Sequence, residues 1–361
     1  MSQRTASGGV NILNVIKLTG AYCAFCIGSG YASGQEVMQF FTAHGLYSFG
    51  ALTISMALFL WFGSAIMLKG YDTKIKATNT IFEYYCGKYI GLAFEIFVPI
   101  FLFSVVVIMV SGAGATLAQH YGFDPVIGRA IMAVISMLTV IFGLTRLVQI
   151  IGLIGPVIIV VAIIAGFAGI FNGSLSLAEA DKAIQTLDVA KADSRWWLSG
   201  MLYAAFMVLG SAPFFAGLGT QGISRKDALW GGLLGGFFYI GAAAVMSSGM
   251  LVNIGSIYNQ EVPALAMAGF TSPWFATLFS VILILGIYST AAPMLWSVCN
   301  RFALDNTPRF KVVTIILGVI AFFGGLLPFG QLVGFIYPKT GIIGLIFMLL
   351  LLARPFIKSK K

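Results

Sequence analysis

One interrupted apolar stretch, residues 10–41, limits the possible folds of this chain more than any other feature. It is longer than the roughly 20 apolar residues that a membrane-spanning helix needs, yet residues 28–34 read GSGYASG. Glycine weakens a helix, and serine competes for its backbone hydrogen bonds. In lipid, unpaired backbone groups are tolerated only where protein or a polar cavity surrounds them. The sequence therefore predicts a broken membrane helix with a solute site at the break.

The composition of the whole chain agrees with a membrane location. Of 361 residues, 59% are hydrophobic and 9% are charged, whereas a soluble domain carries about 25% charged residues. These values predict an all-α polytopic membrane protein. We find no sequence pattern of metal ligands or nucleophiles, so we expect neither an enzyme nor a metal centre built on histidine or cysteine. The net charge of +9 is explained by topology rather than by nucleic acid binding, because cytoplasmic loops retain lysine and arginine.

Ten apolar segments follow one another, and each is interpreted as a membrane span. They cover residues 10–41, 47–69, 91–119, 125–145, 147–171, 196–221, 228–254, 273–300, 310–328 and 331–353. The polar stretch 70–90 predicts a short interfacial helix. The whole chain, residues 1–361, is expected to form a single membrane domain.

Positive charge is concentrated in every second connection. Those connections contain Lys69, Lys74, Lys76, Lys88, Arg146, Arg225, Lys226, Arg301, Arg309 and Lys311, and the tail 354–361 adds Arg354, Lys358, Lys360 and Lys361. Since lysine and arginine mark the cytoplasmic side, both termini are predicted to be cytoplasmic. The protein is expected to be a multi-pass membrane protein.

The sixth segment carries a second predicted break. Its centre reads Leu209-Gly210-Ser211-Ala212-Pro213, and proline removes a backbone donor. Gly28 and Gly210 lie 182 residues apart, about half the chain and five spans. An odd offset puts the two halves in opposite orientations, and paired broken helices in inverted repeats indicate the binding site of a secondary transporter. We expect repeats over residues 10–171 and 196–353; an ordinary kink in each helix stays open as the alternative.

The run GSGYASGQEVMQFF in a ten-span chain resembles the uncharacterised bacterial membrane proteins of the YkvI type. These in turn resemble the amino acid–polyamine–cation superfamily, which has the LeuT fold of five plus five inverted helices. The match is strong in the first helix, and the rest of the chain supports it through topology. The resemblance implies a secondary active transporter in a bacterial cytoplasmic membrane that works by alternating access. Its solute would bind at mid-membrane between helices one and six.

The resemblance also implies two groups of site residues. Backbone and side chains at the two breaks would face the solute, with aromatic rings closing the site. These residues are Ser29, Gly30, Tyr31, Ala32, Ser33 and Glu36 near the first break, and Tyr203, Phe206, Leu209, Gly210, Ser211 and Ala212 near the second. A serine–threonine pair in the eighth helix is similar to the family's sodium site, which implies sodium as coupling ion and cofactor. Its ligands would be Ala24, Ile27, Gly286, Ser289 and Thr290.

Ionisable residues within spans are functional candidates by default. Glu36 is the carboxylate nearest to the first break, and no arginine lies near it in the sequence. This favours a small zwitterionic or amine-bearing solute, such as an amino acid, over a dianion. Glu95 is a second candidate, at the start of the third span. Lys339 in the tenth span is placed to pair with Glu36 or Glu261, or to extend to the membrane surface.

Two alternatives stay open. One is proton coupling, which some relatives in the superfamily achieve with a membrane-embedded lysine; residues 147–171, where that lysine would lie, contain none. The other is a ligand sensor or receptor subunit with a transport fold and no flux. The sequence contains no large extra domain to relay a signal, which argues against a sensor.

Overall fold

Helices form nearly all of the part of the chain that the structure describes. The computed structural model describes residues 9–73, 80–142, 147–305 and 307–358, without the side chains of residues 29, 80, 147–156 and 355–358. The side chain of Ser29, which is a predicted solute contact, therefore lies outside the described residues. The same holds for the side chains of several charged residues that were used to predict the topology, namely Lys74, Lys76, Arg146, Lys358, Lys360 and Lys361.

The first predicted repeat is a succession of helices that corresponds to the first five apolar segments. It contains α1 (Ile12–Cys26), α2 (Ser29–Ala32), α3 (Gln35–Phe40), a 3₁₀ helix (Thr42–Tyr47), α4 (Ser48–Leu58), a π-helical turn (Phe59–Gly63), α5 (Ser64–Thr73), α6 (Thr80–Tyr121), α7 (Pro125–Phe142) and α8 (Leu147–Phe171). Within α6, Gly87 has φ 76° and ψ 175°, which separates a short first helix from the long one. This short helix agrees with the helix predicted within residues 70–90.

The second predicted repeat follows a short helix in the polar loop, α9 (Leu177–Thr186). It contains α10 (Trp196–Thr220), α11 (Arg225–Leu251), α12 (Ile254–Ile257), α13 (Pro263–Thr271), α14 (Pro273–Cys299), α15 (Pro308–Gly324) and α16 (Phe329–Lys358). Ser224 begins α11 with a capping box, in which its hydroxyl and the Asp227 carboxylate satisfy each other's backbone N–H groups.

Among the described residues, seven helical segments are long and apolar enough to cross a membrane. They are Thr42–Thr73, Ile81–Tyr121, Pro125–Phe142, Trp196–Thr220, Arg225–Leu251, Pro273–Cys299 and Phe329–Arg354. Two shorter apolar helices, Ile12–Cys26 and Val157–Phe171, accompany them. The all-α membrane architecture is thus confirmed, while the count of ten spans stays a prediction.

One end of the helix bundle, which we call the N-terminal face, joins the start of α1 to two later connections. The Asn11 N–H donates to Asp227 Oδ1 over 2.9 Å. Arg225 Nε donates to Asp72 Oδ1 over 3.1 Å. The start of α1, the end of α5 and the start of α11 therefore lie together, as expected for connections that are separated by even numbers of spans.

The opposite end of the bundle, which we call the loop face, joins the other connections. The Leu46 N–H donates to Asp181 Oδ1 over 2.8 Å, which holds the polar loop against the end of the first span. Gln119 donates to the Val262 carbonyl and accepts from the Val262 N–H, each over 2.9 Å. The alternation of connections therefore agrees with the predicted order along the chain.

The first helix is broken where the sequence predicts it. Helix α1 ends at Cys26, and the Gly28 N–H donates to the Cys26 carbonyl over 3.1 Å instead of to the carbonyl of Ala24. After the single turn α2, Gly34 takes φ +84°, a left-handed conformation that glycine adopts without steric cost. The chain then continues as α3, which is buried throughout.

The sixth helix is continuous, so the predicted break at Gly210 to Ala212 is wrong. Helix α10 passes through Pro213 without interruption. Proline removes one N–H, but the flanking residues stay helical because α10 is clamped between neighbours. Close to Pro213, a Cβ on Gly219 would collide with the Met67 backbone, and a Cβ on Gly70 would collide with the Ala216 backbone. Such close helix contacts through small residues stabilise membrane bundles.

Candidate functional site

A small cavity lies beside the first break. Its volume is about 60 Å³, which is room for roughly four to six water-sized groups. Aromatic and aliphatic side chains from α6, α10, α14 and α16 form most of its wall, among them Phe101, Phe206, Met294 and Tyr337. Glu36 is the charged residue of this wall, as far as the structure describes it. The cavity can therefore hold a small, largely apolar molecule with one polar group.

Glu36 is buried, with 2% of its surface exposed. The Tyr203 hydroxyl donates to its Oε2 over 3.5 Å, and the Tyr337 hydroxyl also hydrogen bonds to the carboxyl group. On its other side, a Cβ on Gly30 would collide with Glu36 Oε1. The glycine at this position thus gives the carboxyl group its space.

A chain of tyrosines holds the donors to Glu36 in position. The hydroxyl groups of Tyr203 and Tyr239 lie 2.5 Å apart, and the Tyr31 hydroxyl donates to the Tyr239 carbonyl over 3.1 Å. The Tyr337 ring stacks on Phe206 with centroids 4.6 Å apart. Because all these rings are packed and bonded, their hydroxyls are fixed relative to the carboxyl group before any solute binds.

No lysine or arginine among the described residues lies within ion-pair distance of Glu36. Lys339 is exposed, and its Nζ lies 3.5 Å from the centroid of the Phe335 ring. Of the two alternatives for Lys339, the structure therefore does not show the pairing with Glu36 or Glu261, because the side chain stacks on the Phe335 ring of its own helix. Glu261 Oε2 instead accepts from the Gly330 N–H over 2.7 Å.

A larger cavity, which we call the vestibule, extends from the small cavity towards the N-terminal face. Its volume is about 900 Å³, and its wall includes Ala21, Glu95, Asn300 and Arg301. Gly210 and Thr290 are among the residues that line both cavities. The vestibule therefore offers a route between the N-terminal face and the small cavity.

The loop face is closed above the small cavity by backbone and amide hydrogen bonds. Gln39 Nε2 donates to the Gly330 carbonyl over 2.8 Å. The Ala264 N–H donates to the Ser33 carbonyl over 2.9 Å. Together with the bond from the Gly330 N–H to Glu261, these contacts connect α3 and the turn before it with α13, the segment before α13 and the start of α16.

Four of the five residues predicted to bind sodium line the vestibule, namely Ala24, Ile27, Ser289 and Thr290. Ser289 Oγ and Thr290 Oγ1 both donate to the Gly286 carbonyl, over 2.8 and 3.1 Å. Gly286 is buried behind them, and its carbonyl accepts both hydroxyls. The donor set consists of oxygens, which suits a hard cation, and the hydroxyl lone pairs remain available to one.

The structure brings together only part of the predicted solute site. Glu36, Phe206, Gly210 and Ser211 line the small cavity. The other described members are buried around it without lining it, namely Gly30, Tyr31, Ala32, Ser33, Tyr203, Leu209 and Ala212. Phe101 and Tyr337 were missed. Tyr337 lies two residues before the candidate Lys339, whereas nothing distinguishes Phe101 from the other 30 phenylalanines.

Comparison with solved structures identifies the fold. The chain is similar to the inward-facing conformation of the transporter Mhp1, with a TM-score of 0.60 and 16% identity over 91% of this chain and 73% of that chain. It is also similar to a manganese transporter of Eremococcus coleocola, with a TM-score of 0.58 and 11% identity over 96% of this chain and 81% of that chain. The chain therefore has the LeuT-like fold of membrane transporters.

Comparison with curated sequences identifies the relatives. The chain is 24% identical over 339 residues to the uncharacterised protein YyaD of Bacillus subtilis, which is 93% of this chain and 95% of that protein. It is 21% identical over 340 residues to the membrane protein YkvI of the same species, over 94% of this chain and 95% of that protein. No family model matches. The resemblance to YkvI-type membrane proteins is thus confirmed over nearly the whole chain.

Proposed function

We propose that this chain is a secondary transporter that moves a small amine-bearing solute, an amino acid or a related amine, by alternating access. The observation that carries the proposal is the buried carboxyl group of Glu36 in the wall of a cavity that continues into the vestibule. A carboxylate without a lysine or arginine partner is suited to bind a solute that carries a positively charged ammonium group. The proposed location in the bacterial cytoplasmic membrane, with cytoplasmic termini, follows from the charge distribution.

Alternating access is supported by the difference between the two ends of the small cavity. The vestibule connects it to the N-terminal face. The loop face is closed by hydrogen bonds that Gln39 and Ala264 donate and that Glu261 accepts. A transporter must also adopt the opposite arrangement, in which those bonds open and the vestibule closes. The likeness to an inward-facing transporter agrees with this arrangement.

Sodium is the proposed coupling ion. Ser289 and Thr290 would supply hydroxyl oxygens, and Ala24 and Ile27 would supply carbonyl oxygens from the end of α1. The carbonyl of Ala24 is suited to this role because the Gly28 N–H donates to Cys26 instead. When bound, the ion would add positive charge beside the first break and so tie the position of α1 to that of α14.

Counterflow of labelled amino acids and amines in proteoliposomes tests both parts of the proposal. We expect saturable flux that a sodium gradient accelerates, and at least a tenfold loss of sodium stimulation when Ser289→Ala is combined with Thr290→Ala. Thr53→Ala is the matched control, because Thr53 Oγ1 donates to the Phe49 carbonyl on an exposed helix surface. Flux that follows pH and ignores sodium would replace sodium with protons as the coupling ion. Binding without any flux would indicate a sensor.

A further inference from the structure

The candidate solute site contains a carboxyl group whose charge no described residue balances. We propose that Glu36 carries a proton while no solute is bound and releases it when the ammonium group of the solute binds, so that proton and ammonium exchange one for one on the same carboxyl group. This inference rests on the proposed function in one respect, namely that the solute carries an amine.

The groups that surround Glu36 are neutral. Five helices each place one titratable side chain near Glu36. These side chains are Cys26 of α1, Tyr31 of α2, Tyr203 of α10, Tyr239 of α11 and Tyr337 of α16. Thiols and phenols are uncharged at neutral pH unless their surroundings favour the anion, and this apolar site does not. Helices α6 and α14 add Phe101, Leu102, Thr290 and Met294 to the wall of the small cavity. Around this carboxyl group, the described residues thus supply hydrogen bonds and no cation.

The balance between desolvation and hydrogen bonding decides the protonation state of Glu36 before solute binds. A carboxylate that is removed from water without a counter-ion costs far more than two hydrogen bonds from neutral phenols return, so such a group takes up a proton instead. The bond from Tyr203 is 3.5 Å long, which is beyond the usual length of a strong bond to a carboxylate. Without solute, Glu36 is therefore a carboxylic acid.

Binding of an alkylammonium ion reverses this preference. The ammonium N–H groups donate to the carboxylate oxygens, and the acid proton leaves through the vestibule to water. Written in full, R–NH₃⁺ and the carboxylic acid give the R–NH₃⁺ carboxylate pair and one H⁺, so charge and atoms balance. The rings of Phe101, Phe206 and Tyr337 offer the solute's alkyl part an apolar wall and the cation a favourable quadrupole.

The exchange has a directional consequence. While it is shut off from water, the carboxyl group must be neutralised by either a proton or an ammonium ion. Each time the site changes the side of the membrane to which it opens, Glu36 therefore carries either a proton or the amine with it. Movement of the amine in one direction is then tied to movement of a proton in the other through this site. Coupling to sodium at Ser289 and Thr290 is a separate question from this exchange. Ser289 lines the vestibule, and Thr290 lines both the vestibule and the small cavity.

Calorimetry on the purified full-length protein tests the exchange. The probe is n-butylamine, whose five non-hydrogen atoms fit the small cavity by size, with 2-phenylethylamine as the larger alternative. Titration at pH 6 in two buffers that differ in ionisation enthalpy counts the protons released. We expect about one proton per bound amine, and an apparent affinity that rises up to about tenfold per pH unit until the carboxyl group ionises in the solute-free protein.

Three variants test whether Glu36 is the group that releases the proton. Glu36→Gln should release no proton, and any binding that remains should be independent of pH. Glu83→Gln should match the parent protein, because Glu83 is exposed in the first turn of α6. Tyr203→Phe keeps the carboxyl group and removes one donor. It should still release about one proton, and the pH at which release fades should move upward; this keeps the test informative if Glu36→Gln does not fold.

The outcomes are distinguishable from those of the proposed function. Amine binding or flux without proton release, and without pH dependence, would overturn the exchange and leave the transporter intact. Absence of binding and flux for all amines and amino acids would overturn both. Proton release that persists in Glu36→Gln would assign the proton to another group and so contradict the role of Glu36.

Discussion

The first and sixth helices carry similar Gly-Ser sequences at their centres, yet one is broken and the other is not. In the first, the helix ends at Cys26 and resumes after Gly34, which takes φ +84°. In the second, α10 continues through Gly210 and Pro213. The same local weakness thus has two outcomes, and the difference must lie in what surrounds each helix.

The first helix has hydrogen-bond partners for the backbone groups that its break leaves without a helical partner. Ser33 Oγ donates to the Gly30 carbonyl over 2.9 Å and accepts from the Gln35 N–H over 3.3 Å. The Ser33 carbonyl accepts from Ala264 of another segment. In α10, by contrast, Ser211 Oγ donates to the Met207 carbonyl of its own helix over 2.6 Å. A break in an apolar setting persists where such partners exist, and substitutions in the two helices can test this difference.

The largest effect is expected at Gly34. In Gly34→Ala, the alanine would have to adopt a left-handed backbone conformation, which costs about 1–2 kcal/mol. Its methyl group would also lie 3.0 Å from the Ala264 backbone nitrogen, which is closer than normal contact. We expect a loss of at least about 2 kcal/mol in unfolding free energy from these two effects together. Thermal unfolding in detergent with a denaturant series measures it.

Gly217→Ala is the matched control in the unbroken helix. A Cβ at Gly217 meets no atom within 4 Å, so the substitution should stabilise α10 by about 0.5–1 kcal/mol. If Gly34→Ala were as mild as Gly217→Ala, the first helix would not depend on its left-handed residue, and the contrast between the two helices would disappear.

A smaller effect should separate the two serines. Ser33→Ala removes a hydroxyl that satisfies both a carbonyl and an N–H at the break, so we expect it to cost about 1–2 kcal/mol. Ser211→Ala removes a hydroxyl that bonds to a carbonyl of its own helix, so its cost should stay below about 0.5 kcal/mol. Paired unfolding measurements on the two variants test this, and equal costs would contradict the proposed reason for the break.

The first break could be predicted from the sequence because three glycines and two serines within seven residues oppose a helix wherever it lies. The continuity of α10 could not be predicted in this way, because it depends on contacts with residues that are distant in the sequence, such as Gly219 with Met67. The local sequence predicts where a helix is weak, but it does not predict the contacts with neighbouring helices that keep the helix intact.

In the candidate site too, one residue could be predicted from the sequence and others could not. Glu36 could be predicted because a carboxylate within an apolar span is rare and costly. Its donors Tyr203 and Tyr337 come from helices far away in the sequence, and tyrosine is common here, with 13 in the chain. Which of them reach Glu36 follows from the packing of α10 and α16 around α3, and no sequence pattern expresses that packing.

No loss of stability is expected at Pro213. In Pro213→Ala, the restored N–H can donate to the Leu209 carbonyl, so we expect an unfolding free energy that is unchanged or higher by about 1 kcal/mol. Transport should respond more strongly: if α10 bends at this proline when the loop face opens, flux should fall severalfold while equilibrium binding is unchanged. Gly217→Ala in the same helix controls for general stiffening. Unchanged flux in Pro213→Ala would show that α10 moves as a rigid helix, and that the asymmetry between the two repeats persists in both arrangements.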